Sequence, residues 1–233
     1  DAMGQLFYSL SIAMGIMITY GSYMKKDISI ESSVRQIEVF DTGVAFFAGL
    51  MIIPAIFAIE GGILENKGAG LMFVVLPQVF EKMAFGSVIG AIFFLLVLLA
   101  ALTSSISLME TVVSIIKDKF GWNRKLICGM VTLGSFAFGL PSALGFSVWS
   151  HVKPFGKDDI LTFIDDTTNQ LIMPIVALFT CIFIGFVMKP KIVIEEVEST
   201  GTFKMKGLFT VMIQYVAPVF ILLILVSPLL VTL

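Results

Sequence analysis

The stretch from Gly86 to Ile116 reads GSVIGAIFFLLVLLAALTSSISLMETVVSII, with Glu110 as its one charged residue. A helix crosses the hydrocarbon core of a bilayer in about 20 apolar residues, so this run spans with room for tilt and for polar groups at mid-depth. The rest of the chain has the same character. Of its 233 residues 58% are hydrophobic and only 14% are charged, and the mean hydropathy is +1.01. A soluble domain carries about 25% charged residues and needs them to cover its surface. The composition therefore excludes a soluble globular enzyme and gives an all-α polytopic membrane protein in contact with a lipid bilayer. A net charge of −2 leaves no basic patch, which excludes nucleic acid as a partner.

Outward from this span, apolar runs and their breaks divide the chain into about six spans. Residues 1–24 form a first hydrophobic segment without the basic start or small-residue cleavage site of a signal peptide. The chain begins inside that segment, so the numbering reads as starting partway through a longer protein. Residues 25–38 are expected as a loop and 39–64 as a second helix, tilted or kinked around Gly49 and Pro54. Gly68, Gly70 and Pro77 break 65–85 into a re-entrant or surface-lying loop with short helices. Further helices are expected at 86–116, 126–144, 160–188 and 208–230. Cys128 and Cys181 lie in separate apolar runs and read as packing residues.

The basic residues orient the chain. Lys25, Lys26, Arg35, Lys117, Lys119, Arg124, Lys125, Lys189, Lys191, Lys204 and Lys206, eleven of the fifteen, fall in alternate connections. By the positive-inside rule those three connections are cytoplasmic, which makes 65–85 extracellular.

Polar groups inside apolar runs mark sites or pathways by default. Gln5, Ser9 and Ser11 stand among Gly4, Ala13 and Gly15. Such a bunch either lets a helix unwind, exposing carbonyls to a cation and N–H groups to a carboxylate, or forms a small-residue packing face. Ala100, Thr103, Ser104 and Ser107 share one helical face at i, i+3, i+4, i+7. Their oxygens suit Na⁺, or else bond back to the helix's own carbonyls. The acids are Asp41, Glu60, Glu110, Asp165 and Asp166; the last pair reads as a gate or as a solvated helix start. No His-Glu-x-x-His, Cys-x-x-Cys or phosphate-loop motif occurs, and the single His151 falls in an outer loop.

Gly4 to Tyr23, with its Gly-Gln-Leu-Phe-Tyr-Ser-Leu-Ser and Ile-Thr-Tyr-Gly-Ser-Tyr, and Leu99 to Glu110 resemble the sixth and eighth helices of the neurotransmitter:sodium symporter family, bacterial branch. The likeness continues through Phe47 to Phe57 and Phe163 to Leu178. It implies two inverted five-helix repeats, of which this chain would be the second plus helix eleven, from a truncated broken helix six. The N-terminal half of the same protein would be its partner, in a bacterial inner membrane. It further implies Ser9 and Asp41 as ligands of a first sodium, and Ala100, Thr103 and Ser104 as ligands of a second. Tyr8 would lie over an amino-acid substrate lined by Ser11, Met14, Ser104, Ser105 and Leu108. Asp165 would be the outer gate's acid, and Asp118 with Tyr23 the inner gate.

Two departures matter. Asp41 stands where many relatives carry Asn, and Gln5, Ser9 and Asp41 surround the place where animal members hold chloride. A fixed carboxylate would replace the anion's charge, so transport is expected to need sodium and not chloride. Met14 replaces an aromatic, leaving a soft wall suited to a larger apolar or aromatic amino acid. The resulting expectation is sodium-coupled symport by alternating access and no enzymatic step. The other possibility is a piece inert on its own, or a membrane interaction module.

Overall fold

The computed structural model describes residues 8–60, 70–145, 147–156 and 159–231, which are helical with no strand among them. Gln5 lies outside the described residues, as do 61–69. The helices are α1 (Ile16–Tyr23), α2 (Ile30–Glu60), α3 (Leu71–Glu81), α4 (Gly86–Phe120), α5 (Arg124–Gly145), α6 (Ile160–Met188), α7 (Pro190–Thr200) and α8 (206–231). α3, α6 and α8 each contain π-helical turns, at Leu71–Val75, at Thr167–Ile172 and Phe183–Met188, and at Met212–Val216. Among the described residues five helices are long and apolar enough to cross a membrane: α2, α4, α5, α6 and α8.

Several boundaries differ from the sequence expectation. α2 starts at Ile30 and not at 39, which shortens the connection expected over 25–38. Ser29 caps it: the Ser32 N–H donates to Ser29 Oγ at 3.4 Å and the Ser33 N–H to the Ser29 carbonyl at 3.1 Å. Charged Glu31, Arg35 and Glu38 mark where lipid would end, but a helix continues into water while its ladder is intact. For the same reason α4 runs to Phe120 and not to 116, α5 covers 124–145, α8 covers 206–231, and α7 fills part of a connection read as loop. In the loop expected at 65–85 the described part holds α3, and α6 occupies 160–188 as one helix.

The chain divides into two compact units, Asp1–Gln36 with Leu108–Leu233, and Ile37–Ser107. In the first, α6 is the hub, with 28% of its most apolar window buried against 11% or less in the other four long helices. Its Ala177 and Cys181 pack with Ile221 of α8, and Ala13, Leu178, Ile213, Ala217 and Leu225 close over them. Small side chains let these helices approach, which is how helices associate where lipid removes the hydrophobic drive. Cys181 is a free thiol, used here as packing.

In the second unit Val75, Leu76 and Val79 of α3 are buried. Phe80 lies 5.3 Å from Phe93 of α4, and Phe73 stacks on Phe94 at 6.0 Å. Gly86 is required at the turn between them, because a Cβ there would fall 1.6 Å from the Phe80 carbonyl oxygen. Elsewhere large apolar side chains point outward, Phe138 at 80% exposure among them. Patches of that extent are lipid or partner surface.

Candidate functional site

The first segment leaves helical geometry at its middle. Tyr8 and Ser9 are helical, 10–13 form turns, 14–15 bend, and α1 resumes at Ile16. Ser11, Ala13 and Gly15 have φ of 54°, 64° and 77°. Three left-handed residues at alternate positions reverse the chain's sense and take it out of the helical ladder. For Ser11 and Ala13 that conformation costs about 1–2 kcal/mol each, so surrounding packing has to hold it. Ala13 is held against the Ala177, Cys181 and Ile221 cluster. Gly15 accepts the Thr19 N–H at 3.0 Å, which restarts the helix. Tyr8 is half-exposed, and Ser11 and Met14 are partly covered.

α4 carries the hydroxyl face. The Thr103 hydroxyl donates to the Ala100 carbonyl at 2.9 Å, the Ser107 hydroxyl to the Thr103 carbonyl at 2.9 Å and the Ser105 hydroxyl to the Leu102 carbonyl at 2.8 Å. Back-bonding is thus present at three of these residues. It uses each hydroxyl's proton and leaves the oxygen's lone pairs unspent, so it is compatible with an incoming cation. The exposed Ser104 hydroxyl has no hydrogen-bond partner among the described residues. Leu108, one turn further along, is 46% exposed. Asp41, in α2, is partly covered and engaged in an interaction of its own.

At the end of α1, the Tyr23 hydroxyl donates to Glu110 Oε1 at 2.9 Å, and Arg124 Nη2 pairs with Glu110 Oε2 at 2.5 Å. Tyr23 therefore bonds Glu110 and not Asp118, which is exposed on α4's last turns. Thr19 and Ser114 hydroxyls approach to 3.5 Å beside this network. In the sequence Glu110 stands out as an acid in an apolar helix and Arg124 as a topology signal. The pairing was findable, since a carboxylate in such a run needs a donor and Arg124 follows the turn that ends α4.

At the start of α6, Asp159 caps the helix, accepting the Thr162 N–H at 2.8 Å. Asp165 and Asp166 therefore stand about two turns in, not at the helix start. Each is bonded one turn on: Asn169 donates to Asp165 Oδ1 at 2.8 Å and Gln170 to Asp166 Oδ1 at 2.9 Å. Nothing in the sequence alone marks either amide as the partner of these acids.

The sequence and the fold have relatives. The family model described as the sodium:neurotransmitter symporter family matches residues 1–232. An uncharacterized sodium-dependent transporter of Haemophilus influenzae is 33% identical over 226 residues, covering 97% of this chain and 49% of the relative. One of Bacillus subtilis is 34% identical over 198 residues, covering 85% of this chain and 43% of its own length. A crystal structure of MhsT in complex with L-phenylalanine superposes with a TM-score of 0.89 at 33% identity, covering 97% of this chain and 51% of that one. The chain thus spans about half the length of the relatives it matches. On a match across nearly its whole length, the chain belongs to the sodium:neurotransmitter symporter family, whose members are multi-pass membrane transporters and not enzymes.

Proposed function

We propose that the protein containing this chain couples sodium entry to uptake of a neutral amino acid, apolar or aromatic, by alternating access. The observation that carries this is the left-handed break at Ser11, Ala13 and Gly15 in a member of a sodium symporter family. A helix interrupted inside a membrane offers carbonyl oxygens to cations and N–H groups to a substrate carboxylate. Ser9 and Asp41 are assigned as ligands of one sodium. Ala100 through its carbonyl, with Thr103 and Ser104 through their hydroxyls, holds the other. Tyr8 covers the substrate, and Ser11, Met14, Ser104, Ser105 and Leu108 line it. Met14 gives an adaptable wall, and the solved relative's L-phenylalanine supports an aromatic ligand.

The chemistry has no covalent step. Sodium and substrate shift the protein between outward-open and inward-open forms by their differential affinity for each. Asp165 is the acid of the outer gate. On the inner side the proposal is Tyr23 and Asp118, with Glu110 and Arg124 added because Tyr23 bonds that pair.

The test is binding of tritiated L-phenylalanine and L-leucine to the purified full-length protein in sodium and in potassium. Binding is expected in sodium alone, and Thr103→Ala and Ser104→Ala each weaken it about tenfold, the worth of one hydrogen-bond-sized contact to a charge. Binding that ignores either the cation or both substitutions refutes the assignment.

A further inference from the structure

Resting on the proposed outer gate, we infer that Asn169 is the residue that positions Asp165 for its cationic partner. The Asn169 side-chain amide donates to Asp165 Oδ1 at 2.8 Å across one turn, where α6 passes from α to π geometry. An exposed Asp samples several rotamers, and this bond holds the carboxylate in one. The donor is neutral, so it orients the carboxylate and leaves its second oxygen for a guanidinium or ammonium.

A second observation separates this pair from its neighbour. The Asn169 Oδ1 oxygen is buried and has no hydrogen-bond partner among the described residues. A buried carbonyl without a donor carries its full desolvation cost, and native structures rarely keep one without a reason. Turning the amide over would bring its oxygen against the Asp165 oxygen, so Asp165 alone dictates its orientation. Leucine would fill the same half-covered place with no polar atom to desolvate. Packing therefore does not account for asparagine here; its N–H on Asp165 does. Gln170 makes the same bond to Asp166, but it is exposed and water can serve its oxygen. The matched neighbour lacks the cost, and so lacks the sign of a function set against stability.

The test uses the full-length protein in proteoliposomes, with sodium-driven uptake of tritiated L-phenylalanine and the thermal midpoint measured on the same preparations. Asn169→Leu is expected to lower kcat/KM about tenfold, as loss of one charge-assisted hydrogen bond would, with an unchanged or higher midpoint. In an Asp165→Ala background it should cost nothing further. Wild-type uptake by Asn169→Leu, an equal loss with and without Asp165, or a loss that follows a lower midpoint each overturns the inference. Should Asn169→Leu not fold, Asn169→Ser is read by the same criteria. Normal uptake by Asp165→Ala refutes the gate itself, and a wild type that does not accumulate the probe refutes symport of it; either removes the ground of this inference and is distinguishable from its own failure.

Discussion

Gly15 has a φ of 77°, and a Cβ added there would lie 3.1 Å from Thr111 Cγ2. Two costs meet at this residue: the left-handed backbone, which disfavours any side chain, and a contact shorter than ordinary packing allows. Gly15→Ala is expected to destabilise the protein by about 1–2 kcal/mol, seen as a lower thermal midpoint. Adding Thr111→Ser should return the steric part and leave the backbone part, so full recovery would show that φ at Gly15 is not constrained. Ser11 gives the converse experiment. Its φ is 54°, so Ser11→Gly relieves strain while deleting the hydroxyl. A raised KM with an unchanged or higher midpoint would assign the hydroxyl to substrate binding, and an unchanged KM would remove Ser11 from the pocket.

At the scale of elements, the join of α1, α4 and α5 rests on polar contacts where lipid offers no hydrophobic drive. Glu110 receives both Tyr23 and Arg124, one on each carboxylate oxygen. A double-mutant cycle of Tyr23→Phe and Arg124→Gln is expected to show a coupling of about 0.5–3 kcal/mol, because both act through one carboxylate. Additive losses in the measured midpoints would mean that the two contacts are independent. A similar tie joins α6 and α8, where Gln214 donates to the Gly185 carbonyl at 2.7 Å. A Cβ on Gly185 would lie 3.3 Å from Gln214 Cγ. Gln214→Leu should cost about 1 kcal/mol, the net worth of one such bond. Gly185→Leu should cost more, since it pushes the helices apart; the reverse order in thermal midpoints would contradict this account. Much at this scale was legible. The long apolar runs coincide with α4, α5, α6 and α8, whereas the small and hydroxyl residues around Ser11 leave a broken helix and a packing face both open in the sequence. The start of α2 and the whole of α7 were not legible, because charge marks the edge of lipid and not the end of a hydrogen-bond ladder. The π turns depend on how neighbouring helices pack, as at Gly185 and Gln214, and leave no mark in composition. Asn169 is illegible for a related reason: a neutral amide stands out only once its partners are known.

For the whole transporter the sharpest consequence concerns charge. A cation in a low-dielectric site is stabilised by a nearby anion, and a bound chloride or a fixed carboxylate can supply one. In the proposed assignment Gln5, Ser9 and Asp41 surround the chloride region, and Asp41 contributes a carboxylate from a long membrane helix. Sodium-driven amino-acid uptake by the full-length protein is therefore expected to be the same in chloride and in gluconate. Asp41→Asn removes the charge while keeping the shape, so its uptake should fall about tenfold or more in gluconate, the scale of a lost hydrogen-bonded charge contact. Chloride should restore part of that loss, because the anion then replaces the missing carboxylate. A wild type that needs chloride, or an Asp41→Asn protein as active as wild type in gluconate, would show that the compensating charge comes from another group.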